Sequence, residues 1–195
     1  MRYATLGTTD ISVSRIALGC MSYGNALTGI HAWTLDEDAA QPFFRQAVEL
    51  GINHVFIDSL MKCVPGEDDY NAQKMFVDEM TAVARDHNIH IHLIHHIRKL
   101  QNEEMQPNKN DIKGTGAIAD QVDNVLLMWR NKKKEHDKQK KGSVDDKIPD
   151  AMLMCEKQRN GEAEDWFSLW YDKDSQQFTE MAGAVAMQFD QGGSF

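Results

Sequence analysis

Apolar positions in this chain come in short bursts whose spacing switches between a period of two and a helical period. Residues 3–6 and 11–13 are brief β-prone runs on either side of the turn-rich tetrad Gly7-Thr8-Thr9-Asp10, which predicts an opening hairpin. Arg15-Ile16-Ala17-Leu18-Gly19-Cys20 is close to continuously apolar, as expected of a strand covered on both faces in a parallel sheet. Thr34-Leu35-Asp36-Glu37 has the form of a capping box. Ala39, Phe43, Ala47 and Leu50 then recur at helical spacing before Gly51, a suitable stop. Pro42 inside that pattern is tolerable only near the first turn or at a kink.

The alternation continues downstream. His54-Val55-Phe56-Ile57-Asp58 reads as an apolar strand ending in a carboxylate, and Pro65-Gly66-Glu67-Asp68-Asp69 offers caps for a helix with Ala72, Phe76, Met80, Val83 and Ala84 on one face. Residues 89–95 alternate Ile and His and predict a strand. Residues 98–113 lack periodicity and predict a mobile loop. Gly114-Thr115-Gly116 precedes a short helix over 117–123 and a strand over 124–129. The lysine-rich stretch 131–147 predicts a charged, nearly structureless excursion, and residues 151–158 and 166–171 predict two final antiparallel strands. The tail shows no pattern. Strands alternating with amphipathic helices predict an α/β fold: a mainly parallel sheet with flanking helices, in which residues 54–58, 89–95 and 124–129 lie side by side and 15–20 joins them.

Composition narrows the class. With 195 residues, 42% hydrophobic and 26% charged, the chain can bury a sizeable core and reads as globular, most simply one folded unit. No apolar run reaches the roughly 18 residues of a membrane span, and the start lacks a signal-peptide pattern, so the expected location is the cytoplasm, away from membranes. The three cysteines, Cys20, Cys63 and Cys155, match no zinc spacing and are expected to be buried thiols. A formal charge of -9 argues against a dedicated duplex-DNA binder, because neutralising phosphates takes clustered positive charge.

Two stretches carry resemblances. In the first, Leu6-Gly7-Thr8-Thr9-Asp10, Val13-Ser14-Arg15, Leu18-Gly19-Cys20-Met21-Ser22-Tyr23-Gly24, His31-Ala32-Trp33-Thr34-Leu35 and Ala47-Val48-Glu49-Leu50-Gly51-Ile52-Asn53 follow in order. Residues 1–53 thereby resemble the amino-terminal hairpin-strand-helix piece of aldo-keto reductases, which are TIM barrels. Beyond Asn53 the chain lacks the tyrosine, lysine and histidine of that family's catalytic tetrad, so an NADPH-dependent reductase is disfavoured.

From residue 54 to about 178 the chain resembles instead the carboxy-terminal half of a DnaB-like replicative helicase motor, a RecA-like ATPase. His54-Val55-Phe56-Ile57-Asp58-Ser59-Leu60 is similar to the Walker B strand, Leu93-Ile94-His95-His96-Ile97-Arg98-Lys99 to the strand that senses the γ-phosphate, and Asp111-Ile112-Lys113-Gly114-Thr115-Gly116-Ala117-Ile118 with Asp123-Asn124-Val125 to the motif beside the DNA-facing loops. Lys157-Gln158-Arg159-Asn160-Gly161 is similar to the segment that reaches a neighbouring subunit's nucleotide. The resemblance implies Asp58 as a weak Mg²⁺ ligand, His96 as the sensor, Lys157 and Arg159 as the cations acting in trans, with Arg159 the arginine finger, and the loop cations Arg98, Lys99, Lys109 and Lys113 as contacts to single-stranded DNA. Residues 179–195 would be a tail.

Phosphoryl transfer in this class needs G-x-x-x-x-G-K-[ST], whose backbone amides and lysine cradle the phosphates. The nearest stretch, Gly19-Cys20-Met21-Ser22-Tyr23-Gly24-Asn25, has Asn and Ala where Lys and Ser or Thr are required. The expected protein is therefore a chimera, a RecA-like half domain completed by a TIM-barrel piece, without catalytic activity of its own. It requires no cofactor, binds Mg²⁺ and ATP weakly at most, and has nucleotide, single-stranded DNA and a second copy of itself as its partners. An ATP-dependent helicase subunit or a single-strand-binding module is the alternative. His90, His92, His95 and His96 share strand spacing, but no carboxylate or cysteine stands at a supporting interval for zinc.

Overall fold

The computed structural model describes residues 1–5, 10–24, 33–66, 68–114 and 116–187. The chain divides into two compact units, Met1–Ile97 with Ile112–Val122, and Arg98–Asp111 with Asp123–Phe195. The described residues are mixed α/β, but they form three sheets in place of the one predicted: an antiparallel pair, a three-stranded parallel sheet and a four-stranded antiparallel sheet.

In the first unit, β1 (Tyr3–Thr5) pairs antiparallel with β2 (Ser12–Ser14), as the hairpin reading expected; most of its turn tetrad lies outside the described residues. Three side-chain bonds anchor the hairpin to the end of the following helix. Tyr3 Oη donates to the Gly51 carbonyl at 2.8 Å, Ser14 N donates to Asn53 Oδ1 at 2.9 Å, and Asn53 N donates to Ser14 Oγ at 3.2 Å. β3 (Leu18–Gly19) is shorter than the apolar run suggested, because the Ser14 hydroxyl turns onto the Ile16 carbonyl at 2.8 Å and leaves Ile16 exposed. It joins β4 (His54–Asp58) in parallel through Leu18↔Val55 and Gly19↔Phe56, so residues 15–20 do enter the parallel sheet.

The intervening helix α1 (Glu37–Glu49) begins without the expected capping box. Leu35 is held extended beside Tyr23, its N donating to the Ser22 carbonyl at 2.8 Å, so the helix cannot start until Asp36, whose carboxylate accepts from Ala39 N at 3.0 Å. Pro42 sits inside α1 beyond its first turn. Gly51, at φ 75°, ends the helix as expected, in a left-handed conformation that favours glycine.

α2 (Tyr70–His87) is capped by Asp69, which accepts from Ala72 N at 2.9 Å, and stops at Asn88 in the left-handed region. β5 (His90–Ile94) then lies parallel to β4 with His54↔His90 through Asp58↔Ile94 in register. α3 (Ala117–Gln121) completes the unit. Its core is Leu60, Val77 and Ile118, with Phe76, Leu93 and Val122 packed on it. Strand alternation therefore puts Val55, Ile57, Ile91 and Leu93 on the helix-covered face and His54, Phe56, His90 and His92 on the other.

In the second unit β6 (Asn124–Arg130), β7 (Ala151–Gln158), β8 (Trp166–Asp172) and β9 (Gln177–Thr179) form an antiparallel meander in that order. β6 is therefore not the third strand beside β4 and β5. The two ends of its connection to β7 are tied together, Asn131 N donating to the Asp150 carbonyl at 2.8 Å and Asn131 Nδ2 to the Pro149 carbonyl at 3.0 Å. A connection closed in this way returns the chain antiparallel. Nor is 131–147 a structureless excursion, since Lys132–Lys141 is helix α4. Asn131 caps it by accepting from Lys134 N at 3.0 Å, Lys138, Lys140 and Lys141 complement its carboxyl end, and Gly142 terminates it. The loop 98–111 is tied down as well: Asn108 N donates to Asp111 Oδ2 at 3.0 Å, Lys132 pairs with Glu103 at 3.3 Å, and Lys109–Asp111 form a 3₁₀ turn. Of the cysteines, Cys155 is buried as expected, Cys20 half-buried and Cys63 exposed. Among the described residues no helix is long and apolar enough to cross a membrane.

Candidate functional site

In an open parallel sheet ligands meet the carboxyl ends of the strands, where backbone and side chains diverge into loops. In the first unit three segments leave the sheet there. Cys20 follows β3, and its backbone N donates to the Phe56 carbonyl at 2.8 Å. Asp58 ends β4, in register with Ile94, and its carboxylate is exposed while Ser59 and Leu60 behind it are buried. His95 and His96 follow β5.

The histidine segment is braced by the stretch that begins the predicted DNA-side motif. Lys113 N donates to the His96 carbonyl at 3.0 Å, Ile97 pairs with Ile112, and the His95 ring contacts the Lys113 carbonyl through Nε2. Burial lowers the His95 pKa and so favours a neutral ring, against the opposing pull of that hydrogen bond. Gly114 closes the brace at φ 99°, where an added Cβ would strike the amide of the fully buried Gln73. On the opposite flank burial, and secondarily the nearby Cys63, pushes the Cys20 thiol up to about 11, so this cysteine is a poor nucleophile.

Asp58 thus ends β4 and His96 follows the end of the neighbouring β5, while Lys157 and Arg159 belong to the second unit. Lys157 lies near the end of β7 opposite Val125. Arg159, just beyond, is exposed at the surface, where its guanidinium pairs with Asp123 at 3.0 Å and its backbone N donates to the Asp123 carbonyl at 2.8 Å. The expected DNA cations divide between the units, Lys113 in the first and Arg98, Lys99 and Lys109 in the second. Arg98 contacts the Asn110 carbonyl and lies 3.9 Å from the Asp111 carboxylate, so part of its charge is already answered within the loop.

Among the described residues no three His, Cys, Asp or Glu side chains stand where they could hold a metal ion. Mg²⁺ on a nucleotide takes one or two protein carboxylates and completes its shell from phosphate oxygens and water. Asp58 supplies one such carboxylate, and no G-x-x-x-x-G-K-[ST] loop occurs in the chain to fix the phosphates. The residues present do not by themselves fit a complete Mg²⁺-nucleotide site.

One grouping escaped the sequence reading. His54, His90 and His92 share the face of β4 and β5 away from α2, whereas His95 and His96 lie past the strand end. The signal was available only once His54 was placed opposite His90.

Comparison with protein families gives a match to the DnaB-like helicase C terminal domain over residues 37–180. The match begins at the first residue of α1, so 37–53, which resembled an aldo-keto reductase segment, fall inside the helicase match.

Proposed function

Because the chain belongs to the DnaB-like helicase C-terminal domain family, we propose that it is a motor scaffold that carries the Walker B, sensor and arginine-finger strands but does not turn over ATP by itself. Asp58 would hold Mg²⁺ weakly, His96 would face the γ-phosphate, and Lys157 and Arg159 would serve a nucleotide on a second copy of the chain, which makes self-association part of the reading. Arg98, Lys99, Lys109 and Lys113 would give at most weak contact with single-stranded DNA. Hydrolysis would need a phosphate-binding loop from outside these residues. Residues 1–36 lie outside the family match, and their resemblance to aldo-keto reductases supports a fused origin for that part.

The observation that carries the proposal is Asp58 at the exposed carboxyl end of the central parallel strand, with β3 and β5 on either side, in a chain without the phosphate loop. The lysine and amides that would stabilise the transferring phosphoryl group are the parts missing. Phosphate release from ATP and Mg²⁺ is the test. The purified chain and its Asp58→Asn variant should both match the protein-free rate, and turnover that Asp58→Asn abolishes would overturn the proposal.

A further inference from the structure

We propose that the open face of the parallel sheet is a proton-sensitive latch, in which His54, His90 and His92 hold β4 against β5 while neutral and release it when they take up protons.

The geometry carries the idea. His54 and His90 are register partners, as are Phe56 and His92, so four rings crowd one face of two adjacent strands. His54 Nδ1 lies 3.0 Å from His92 Nε2, a hydrogen bond that exists only while one of the two nitrogens keeps a lone pair. The His90 ring centroid is 4.3 Å from that of His92 and 5.4 Å from that of His54. His92 is also stacked on Phe56 at 4.1 Å with the planes 6° apart, so its ring is covered by an apolar surface. Protons on both His54 and His92 would place like charges within a hydrogen bond's length and abolish the bond itself.

Among the described residues, nothing packed around the cluster offers a compensating anion at close range. β3 contributes Leu18 and Gly19, with Arg15 before it and the Cys20 thiol after it. On β4 and β5, Asp58 shares the face but stands at its far end opposite Ile94, exposed to water, with the Phe56–His92 pair between. The charged residues of α2, namely Lys74, Asp78, Glu79, Arg85, Asp86 and His87, are exposed on the helix that packs against the other face. Those of α1, Glu37, Asp38, Arg45 and Glu49, are exposed too.

The titration follows. Burial first, then His90 and His54, bring the His92 pKa down to about 4, and burial followed by His90 lowers that of His54. A histidine whose folded pKa is depressed binds more protons when the chain is unfolded. The contribution is thus whole above the ordinary histidine range of about 6.5, and is lost progressively as pH falls from there toward the folded value.

The test is a ¹H–¹⁵N titration of the imidazoles of the full chain from about pH 7.5 to 4, with amide exchange of β4 and β5 followed over the same range. His92 should titrate near 4 and His54 below its ordinary value. Amide exchange at β4 should accelerate as pH falls below about 6, after correction for intrinsic rates. A His54→Gln variant, which keeps a donor but removes one charge, should show a smaller acceleration. His92 titrating at its ordinary value, or β4 exchange with the same pH dependence in the parent and His54→Gln, would overturn the latch.

Discussion

Lys134 is 7% exposed at its side chain, and its ammonium sits 2.7 Å from Asp150 and 2.6 Å from the Ile148 carbonyl. An ion buried this far is tolerable only while it stays paired, so loss of the partner costs more than loss of the pair. Asp150→Ala should destabilise the fold by about 2–3 kcal/mol, because Asp150 is itself partly exposed and water can partly replace it. Lys134→Met should cost about 1 kcal/mol or less, since it removes the charge and keeps the volume. Urea unfolding of the two variants checks the order; equal losses would mean that the ammonium is solvated in the folded chain. None of this was legible in the sequence. Within Lys132-Lys133-Lys134 nothing distinguishes the buried lysine from its neighbours until the return of Asp150 beside β6 is known. Asp58 was legible for the opposite reason, since its place at the end of an apolar run is a local property.

Elements were easier to read than their pairing. The strands at 54–58, 124–130 and 151–158 and the helix after Asp69 follow local periodicity and capping, and they form close to where it puts them. What periodicity cannot carry is the partner of a strand. β6 reads as a buried parallel strand, yet it pairs antiparallel with β7 because Asn131 closes the connection. The same blindness hid α4, whose helix depends on its Asn131 cap and its paired lysines and not on an apolar stripe. Within α2 the most buried positions are Gln73 and Val77, one of them polar, so the expected face of Ala72, Phe76, Met80, Val83 and Ala84 was only partly correct. Gln73 matters because Gly114 passes against it. Gly114→Ala should destabilise by at least about 2 kcal/mol, through a left-handed backbone and displacement of a buried amide. A thermal melt unchanged by that substitution would show the brace around His95 and His96 to be looser than its hydrogen bonds imply.

For the whole molecule, charge and family point in different directions. A net charge of -9 opposes nucleic acid, whereas the DnaB family implies DNA and nucleotide. Four loop cations could release at most about four counterions, so binding to oligo-dT should weaken with salt at a log–log slope no steeper than roughly -3, with a Kd above about 10⁻⁴ M at physiological salt. Pairing of Arg98 within its own loop lowers that ceiling further. Fluorescence anisotropy of labelled oligo-dT, with and without alanine at Arg98, Lys99, Lys109 and Lys113, measures it. Micromolar binding lost in the variant would make the chain a DNA-binding module.

The central claim is that the Walker B strand is present without a site that can grip a nucleotide. The most direct measurement is a titration of the ¹⁵N-labelled chain with Mg²⁺-ATP, following the backbone amides around Asp58 and His96. The predicted result is no saturating shift at either position up to millimolar nucleotide, in the parent or in Asp58→Asn. Saturable shifts at both positions that disappear in Asp58→Asn would contradict it.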